Sequence, residues 1–145
     1  MTAPAEGIEI VVGVDDSPNS QAALEWAARD AVLRKAPLAI LYAAAVSVST
    51  WPIAPVPTGI VEFQQEIGRD ILTDAGNSAQ NLTQGSVPVS THFAVGTPAT
   101  ALIEASKTAA MVVVGSRGRG AFARVVLGSV STGLLHRAHC PVAVV

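Results

Sequence analysis

Met111-Val112-Val113-Val114-Gly115-Ser116-Arg117-Gly118-Arg119-Gly120 is an apolar run that ends in alternating glycines, and Gly128-Ser129 follows nine residues beyond Gly118. The four apolar residues have the length and β-branching of a buried strand. Written as spacing, the rest is Gly-x2-Gly-x9-Gly-Ser hung on the end of that strand. Glycines at such a turn leave backbone N–H groups uncovered and permit positive φ, so a phosphate can approach the main chain. A helix beginning near Gly128-Ser129 would aim its free N–H groups and positive dipole end at the same point. The stretch predicts a polyphosphate cradle at a strand-to-helix crossing.

Working outward, the other segments repeat the strand-then-helix order. Ile8 to Val14 is a short β-branched strand that stops at Asp15-Asp16-Ser17-Pro18, where Ser17 as N-cap and Pro18 at the first helical position open a helix to about Lys35. Leu38 to Ala43 is a second strand, and the Ser-, Pro- and Trp-containing stretch from Ser47 to Gly59 is an exposed loop. Val61 to about Gln84 predicts an amphipathic helix carrying Phe63, Ile67, Ile71 and Leu72. Val87 to Val95 is a third strand, and Gly96-Thr97-Pro98 repeats the cap-and-proline logic before a helix with Ala101, Leu102 and Ala105. After the glycine-ended strand come a helix from about Ser129 to Arg137 and a last strand, Pro141 to Val145. Apolar strands alternating with helices imply a parallel sheet covered on both faces and reached by right-handed crossovers. Such sheets bind ligands at the carboxyl ends of their strands, where the strand order reverses.

The 145 residues suit one domain, 1–145. Half are apolar and 14% charged, yet no run approaches the roughly 18 apolar residues that span a bilayer. The first residues have no basic segment leading into an apolar run, and the lone Cys140 has no internal disulfide partner, which together point to the cytoplasm. The net charge of −2 hides an asymmetry: all eleven acids lie at or before Glu104, whereas Lys107, Arg117, Arg119, Arg124 and Arg137 give the remainder +5. Anion chemistry therefore belongs to the C-terminal third. Aromatic residues at 4% provide no stacking platform, so the charge pattern excludes a nucleic-acid surface.

The whole chain resembles the universal stress protein family. The resemblance rests on the Gly-Val-Asp-Asp-Ser start at Gly13, on Gly96-Thr97-Pro98, on Val-Val-Gly-Ser-Arg-Gly-Arg-Gly, on Leu-Gly-Ser-Val-Ser and on the closing Ala138-His139-Cys140-Pro141-Val142. The spacing of Gly115, Gly118, Gly128 and Ser129 matches the ATP-binding branch. The resemblance implies an α/β fold of the Rossmann-like, adenine nucleotide alpha hydrolase type, an open five-stranded parallel sheet with helices on both faces and strand order 3-2-1-4-5. It implies ATP, with Mg, held at the strand 1/strand 4 switch point. Gly13 and Val14 would wall the adenine, Asp15 would contact the ribose or help hold the metal, and the backbone of Ala43 would meet the adenine edge. Gly115 would sit by the ribose and α-phosphate, and Gly118 and Gly128 would let the chain close on the phosphates. Ser129 and Ser131 would offer hydroxyls, with Val130 between them in the same stretch. Arg117 and Arg119 enter the site on charge alone.

Other readings of these residues stay open at the level of sequence. Asp15 suits a helix cap as well as a ligand contact, and Ser129 suits an N-cap. Gly118 to Ala123 also fits the dinucleotide pattern Gly-x-Gly-x-x-Gly/Ala, but no acid follows Glu104 to bind a ribose hydroxyl, and no Gly-Lys-Ser/Thr marks a phosphate-loop NTPase. His136, His139 and Cys140 offer only three ligands across a helix end, which favours a structural role, with Cys140 as a small hydrophobe. Ser17, His92 and Asp15 as a hydrolytic triad lack a nucleophile elbow. With no general base or assignable arginine finger near a γ-phosphate, the sequence points to a stress-response regulator that signals through loop or oligomer changes. A slow ATPase or nucleotide-dependent transferase is the alternative. Val142 to Val145 form an apolar edge of the kind that pairs with a neighbour. That predicts a homodimer, or a second tandem domain, joined along this strand; the opening residues resemble the first domain of tandem members.

Overall fold

The computed structural model describes residues 7–44, 58–116 and 128–145. Nine elements alternate among the described residues: β1 (Ile10–Gly13), α1 (Pro18–Arg34), β2 (Leu38–Ala44), α2 (Thr58–Thr83), β3 (Val89–Val95), α3 (Pro98–Ser106), β4 (Met111–Val114), α4 (Ser129–Arg137) and β5 (Val142–Val144). The five strands form one parallel sheet in the order β3-β2-β1-β4-β5, as expected.

The period-2 alternation of the strands splits the core in two. Ile10, Val12, Leu38, Ile40 and Val113 face α1 and α2, where Leu24, Ala27, Leu72 and Ala79 meet them. Val11, Ala39, Val112 and Val114 face the other way, against Leu102 and Leu134 of α3 and α4. Both faces are covered, so β4 is buried at all four positions and shows no polar alternation.

The two proline-started helices form as their sequences dictate. Ser17 Oγ accepts the Ser20 N–H and Thr97 Oγ1 accepts the Thr100 N–H, each satisfying an orphan donor of the first turn. At the other end of α1, Lys35 adopts a left-handed conformation, φ 54° and ψ 43°, where glycine is usual. Lys35→Gly should stabilise the protein by about 0.5–1 kcal/mol, the left-handed penalty relieved less the entropy of glycine, read as a higher urea midpoint.

The long helix α2 departs from expectation in its start and its face. It begins at Thr58, inside the span read as loop. Leu72, Ala75 and Ala79 are buried, whereas Phe63 is 62% and Ile67 39% exposed. The reason is angular: at 3.6 residues per turn, Phe63 and Leu72 lie about half a turn apart and cannot share a face. The sheet-facing side carries small residues instead, and Gly68 rests against the Tyr42–Phe93 pair, whose ring centroids are 5.7 Å apart.

Candidate functional site

The strand order reverses between β1 and β4, and the elements leaving their carboxyl ends build the site. After β1 the chain turns through Asp15 and Asp16. The Asp15 N–H donates to Ser20 Oγ and Asp15 Oδ1 accepts the Ser17 N–H, both at 3.0 Å, which binds this turn to the first turn of α1. Asp16 takes φ 70°, a left-handed conformation that aspartate tolerates better than most residues. Ser17, not Asp15, is therefore the N-cap of α1, and Asp15 instead braces the cap residue by accepting its N–H.

After β4, Gly115 packs directly on α1. A Cβ there would lie 2.8 Å from the Asn19 carbonyl oxygen and 2.9 Å from its carbon. Glycine at this position therefore serves close packing of two backbones, a constraint the motif spacing did not reveal. Ser116 donates its N–H to the Val145 carbonyl at 2.8 Å and its carbonyl accepts the Gly128 N–H at 2.7 Å. The chain that leaves at Ser116 thus returns beside its own exit. Arg117, Gly118 and Arg119 lie between these points and outside the described residues, as do Trp51 and most of the 47–59 stretch.

Gly128, not Ser129, is the N-cap of α4, and being glycine it supplies no side-chain cap. Ser129 is its first residue and is exposed, so its hydroxyl and the following N–H groups border the loop mouth. Ser131 is only 1% exposed and donates its hydroxyl proton to the Gly115 carbonyl at 2.9 Å. It ties α4 to β4, and its hydroxyl proton is given to the main chain. Val130, half-buried, packs toward the α3–α4 core.

The expected adenine wall is distributed more widely. The space a Gly13 side chain would fill is taken by Leu102, whose Cδ1 would be 2.9 Å from a Cβ there. Val14 is buried in the α1–α2 cluster. Ala43 pairs with Ala94 near the end of β2, two residues beyond Leu41, the partner of Gly13. β2 therefore projects past β1 and exposes a backbone edge beside the Asp15 turn.

The other constellations stay apart. His92 lies on β3, two strands from β1, and hydrogen-bonds Ser90 at 2.9 Å. Ser17 is buried as a cap, so the three triad residues do not meet. The His139 N–H donates to Ser106 Oγ. Burial pushes the Cys140 thiol up, against a smaller lowering by the Val112 backbone hydrogen bond, so it is held protonated and is a poor nucleophile. Among the described residues no group of three His, Cys, Asp or Glu is placed to hold a metal ion. No helix among them is long and apolar enough to cross a membrane.

Comparison with known proteins gives one family. The sequence model of the universal stress protein family matches residues 9–145. A universal stress protein of Mycobacterium tuberculosis is 41% identical over 148 residues, covering 100% of this chain and 50% of that protein. One from Mycolicibacterium smegmatis is 45% identical over 139 residues, covering 94% and 47%. The chain spans about half the length of these curated relatives. Among solved structures, the universal stress protein UspA from Lactobacillus plantarum superposes with a TM-score of 0.80 at 23% identity, covering 97% of this chain and 99% of that one. A universal stress protein in complex with cAMP superposes at 0.72 with 27% identity, covering 97% and 98%.

Proposed function

This chain belongs to the universal stress protein family, and on that premise we propose that it is an ATP-binding regulatory domain whose nucleotide lies at the β1–β4 switch point. The observation that carries the reading is the hydrogen bond of Gly128 N–H to the Ser116 carbonyl, which sets the end of β4 beside the start of α4, where the N-cap glycine has no side chain to cover the first N–H groups. An anion in that mouth meets helix N–H groups, the Ser129 hydroxyl and, from the sequence, the charges of Arg117 and Arg119. The cAMP complex of a relative at 27% identity supports an adenine nucleotide as the ligand. Gly13, Val14, Asp15 and Ala43 are proposed for the base and ribose, and Gly115, Gly118, Gly128, the Ser129 hydroxyl and the backbone of Val130 and Ser131 for the phosphates. Magnesium is proposed to accompany ATP through its phosphates, with Asp15 as the carboxylate that would help hold it.

The domain acts, in this reading, in the cytoplasm as a switch. It pairs along β5 with a second copy or a second such domain, an edge that bonds only to β4 among the described residues. Titration calorimetry of the purified chain with Mg-ATP, ADP and AMP tests the site. Saturable binding is expected, and Gly118→Ala should weaken it by about tenfold, because a Cβ crowds a main chain that must wrap phosphate. No binding by folded protein would overturn the reading. A parallel phosphate-release assay should stay at background; sustained turnover would shift the reading to a slow ATPase.

A further inference from the structure

A concavity lies beside the Asp15 turn. Between the first turn of α1 and the middle of α2 is a cleft of about 290 Å³. Its floor is apolar, formed by Val14, Leu24, Ile71 and Ala75, and its rim carries Asp16, Gln21 and Asp74. The Gln21 side-chain amide donates to Ser78 Oγ at 3.3 Å, a polar link between the two helices beside the cleft. From Ile71 the same side of α2 continues one and two turns up as Ile67 and Phe63, both exposed.

Charge selects the occupant. α2 bears Glu62, Glu66, Asp70 and Asp74 against the single Arg69, and Asp74 forms no ion pair among the described residues. The N-terminus of α1 opposes a cation with a partial charge of about +0.5. That opposition is weakened locally, since Pro18 has no N–H and the Ser20 N–H is spent on Ser17. The whole charge of the Asp74 carboxylate on the rim outweighs it. A side chain with an apolar stem and a planar cationic head satisfies floor and rim together, and arginine alone among natural side chains offers a fork matched to carboxylates.

We propose that the α1–α2 cleft is a docking site for an arginine of a partner protein, flanked in that partner by apolar residues that rest on Ile67 and Phe63. Val14, Asp16, Ser17 and Ser20 line the cleft and belong to the turn that carries Asp15. An arginine seated there therefore touches the Asp15 turn, and by linkage any effect of nucleotide on partner affinity is returned equally by the partner on nucleotide affinity. This coupling rests on the nucleotide reading above; the docking does not.

The test is a 1H–15N correlation titration of the whole chain with the peptide acetyl-Leu-Arg-Leu-amide, with its citrulline counterpart, and with butylamine. Expected are saturable shifts centred on the amides of Ser20, Gln21, Asp74 and Ala75, absent with citrulline. Asp74→Asn, an exposed and isosteric change, should weaken peptide binding about fivefold while leaving the spectrum otherwise intact. Shifts spread over the acidic surface, shifts indifferent to citrulline or Asp74→Asn, or no shifts would overturn the proposal. So would binding of butylamine in the cleft without binding of the peptide, which would indicate a small-amine site. Nucleotide added to the same samples is followed separately at the amides of Gly115, Ser116 and Ser131. Failure of the nucleotide reading therefore shows at its own resonances and leaves the docking result standing.

Discussion

Gly115→Ala should lower the stability of this protein by about 2–3 kcal/mol, the upper part of the roughly 1–3 kcal/mol usual for forcing extra carbon into a packed interior. The added Cβ would lie 2.8 Å from the Asn19 carbonyl oxygen, 2.9 Å from its carbon and 3.0 Å from its Cβ. Two of these are main-chain atoms in the first turn of α1, held in place by the Ser17 cap and the Asp15 turn. They yield only if the helix start moves. Asn19→Gly should therefore fail to rescue Gly115→Ala, because it removes one contact and leaves the two backbone ones. Gly13→Ala gives the contrast: its Cβ would meet Leu102 Cδ1 at 2.9 Å, the far end of a flexible side chain, and should cost less than half as much. Urea midpoints of the three variants check the order. Since the displaced helix start is the wall carrying Asp15, Gly115→Ala should also weaken adenine-nucleotide binding more than its loss of stability alone would, measured by calorimetry at a temperature where the variant is folded.

That pair of glycines shows where reading a sequence stops. Strand and helix identities were legible because their signals are local: β-branched runs, Ser17 before Pro18, Thr97 before Pro98, and glycine after the buried Met111–Val114. The parallel, doubly covered sheet followed from apolar strands without alternation. Spacing marked Gly115 and Gly128 as candidates but did not explain them. What Gly115 touches is Asn19, ninety-six residues earlier, and no local pattern carries that contact. The same holds for Ser131, whose hydroxyl is turned inward to the Gly115 carbonyl. Shifting the α4 cap from Ser129 to Gly128 is a smaller error of the usual kind, one residue at a helix end. For α2, hydrophobicity drew attention to Phe63 and Ile67, yet packing chose the side with the smallest residues.

Gly68→Val should destabilise the protein by about 3 kcal/mol, at the upper end of overpacking costs. Glycine inside a helix ordinarily loses about 1 kcal/mol relative to alanine, so by local propensity alone a substitution at Gly68 would stabilise α2. The sheet reverses the sign. A Cβ there would fall 2.7 Å from Phe93 Cδ2 and 2.9 Å from Tyr42 Cε1, with Phe93 Cε2 nearer still. Two rings on adjacent strands, in contact with each other, leave the helix no soft neighbour to displace. Either α2 lifts from β2 and β3, or both rings leave their rotamers. Phe93→Leu should restore only part of the loss, because Tyr42 keeps its position against the helix. A double-mutant cycle on Gly68 and Phe93, followed by urea denaturation, measures that share, and full additivity of the two changes would show that the ring does not resist the helix. α2 also forms one wall of the cleft that holds Asp74, six residues along from Gly68. A helix lifted at Gly68 widens that cleft, so Gly68→Val should reduce binding of the arginine peptide even where the folded state is fully populated.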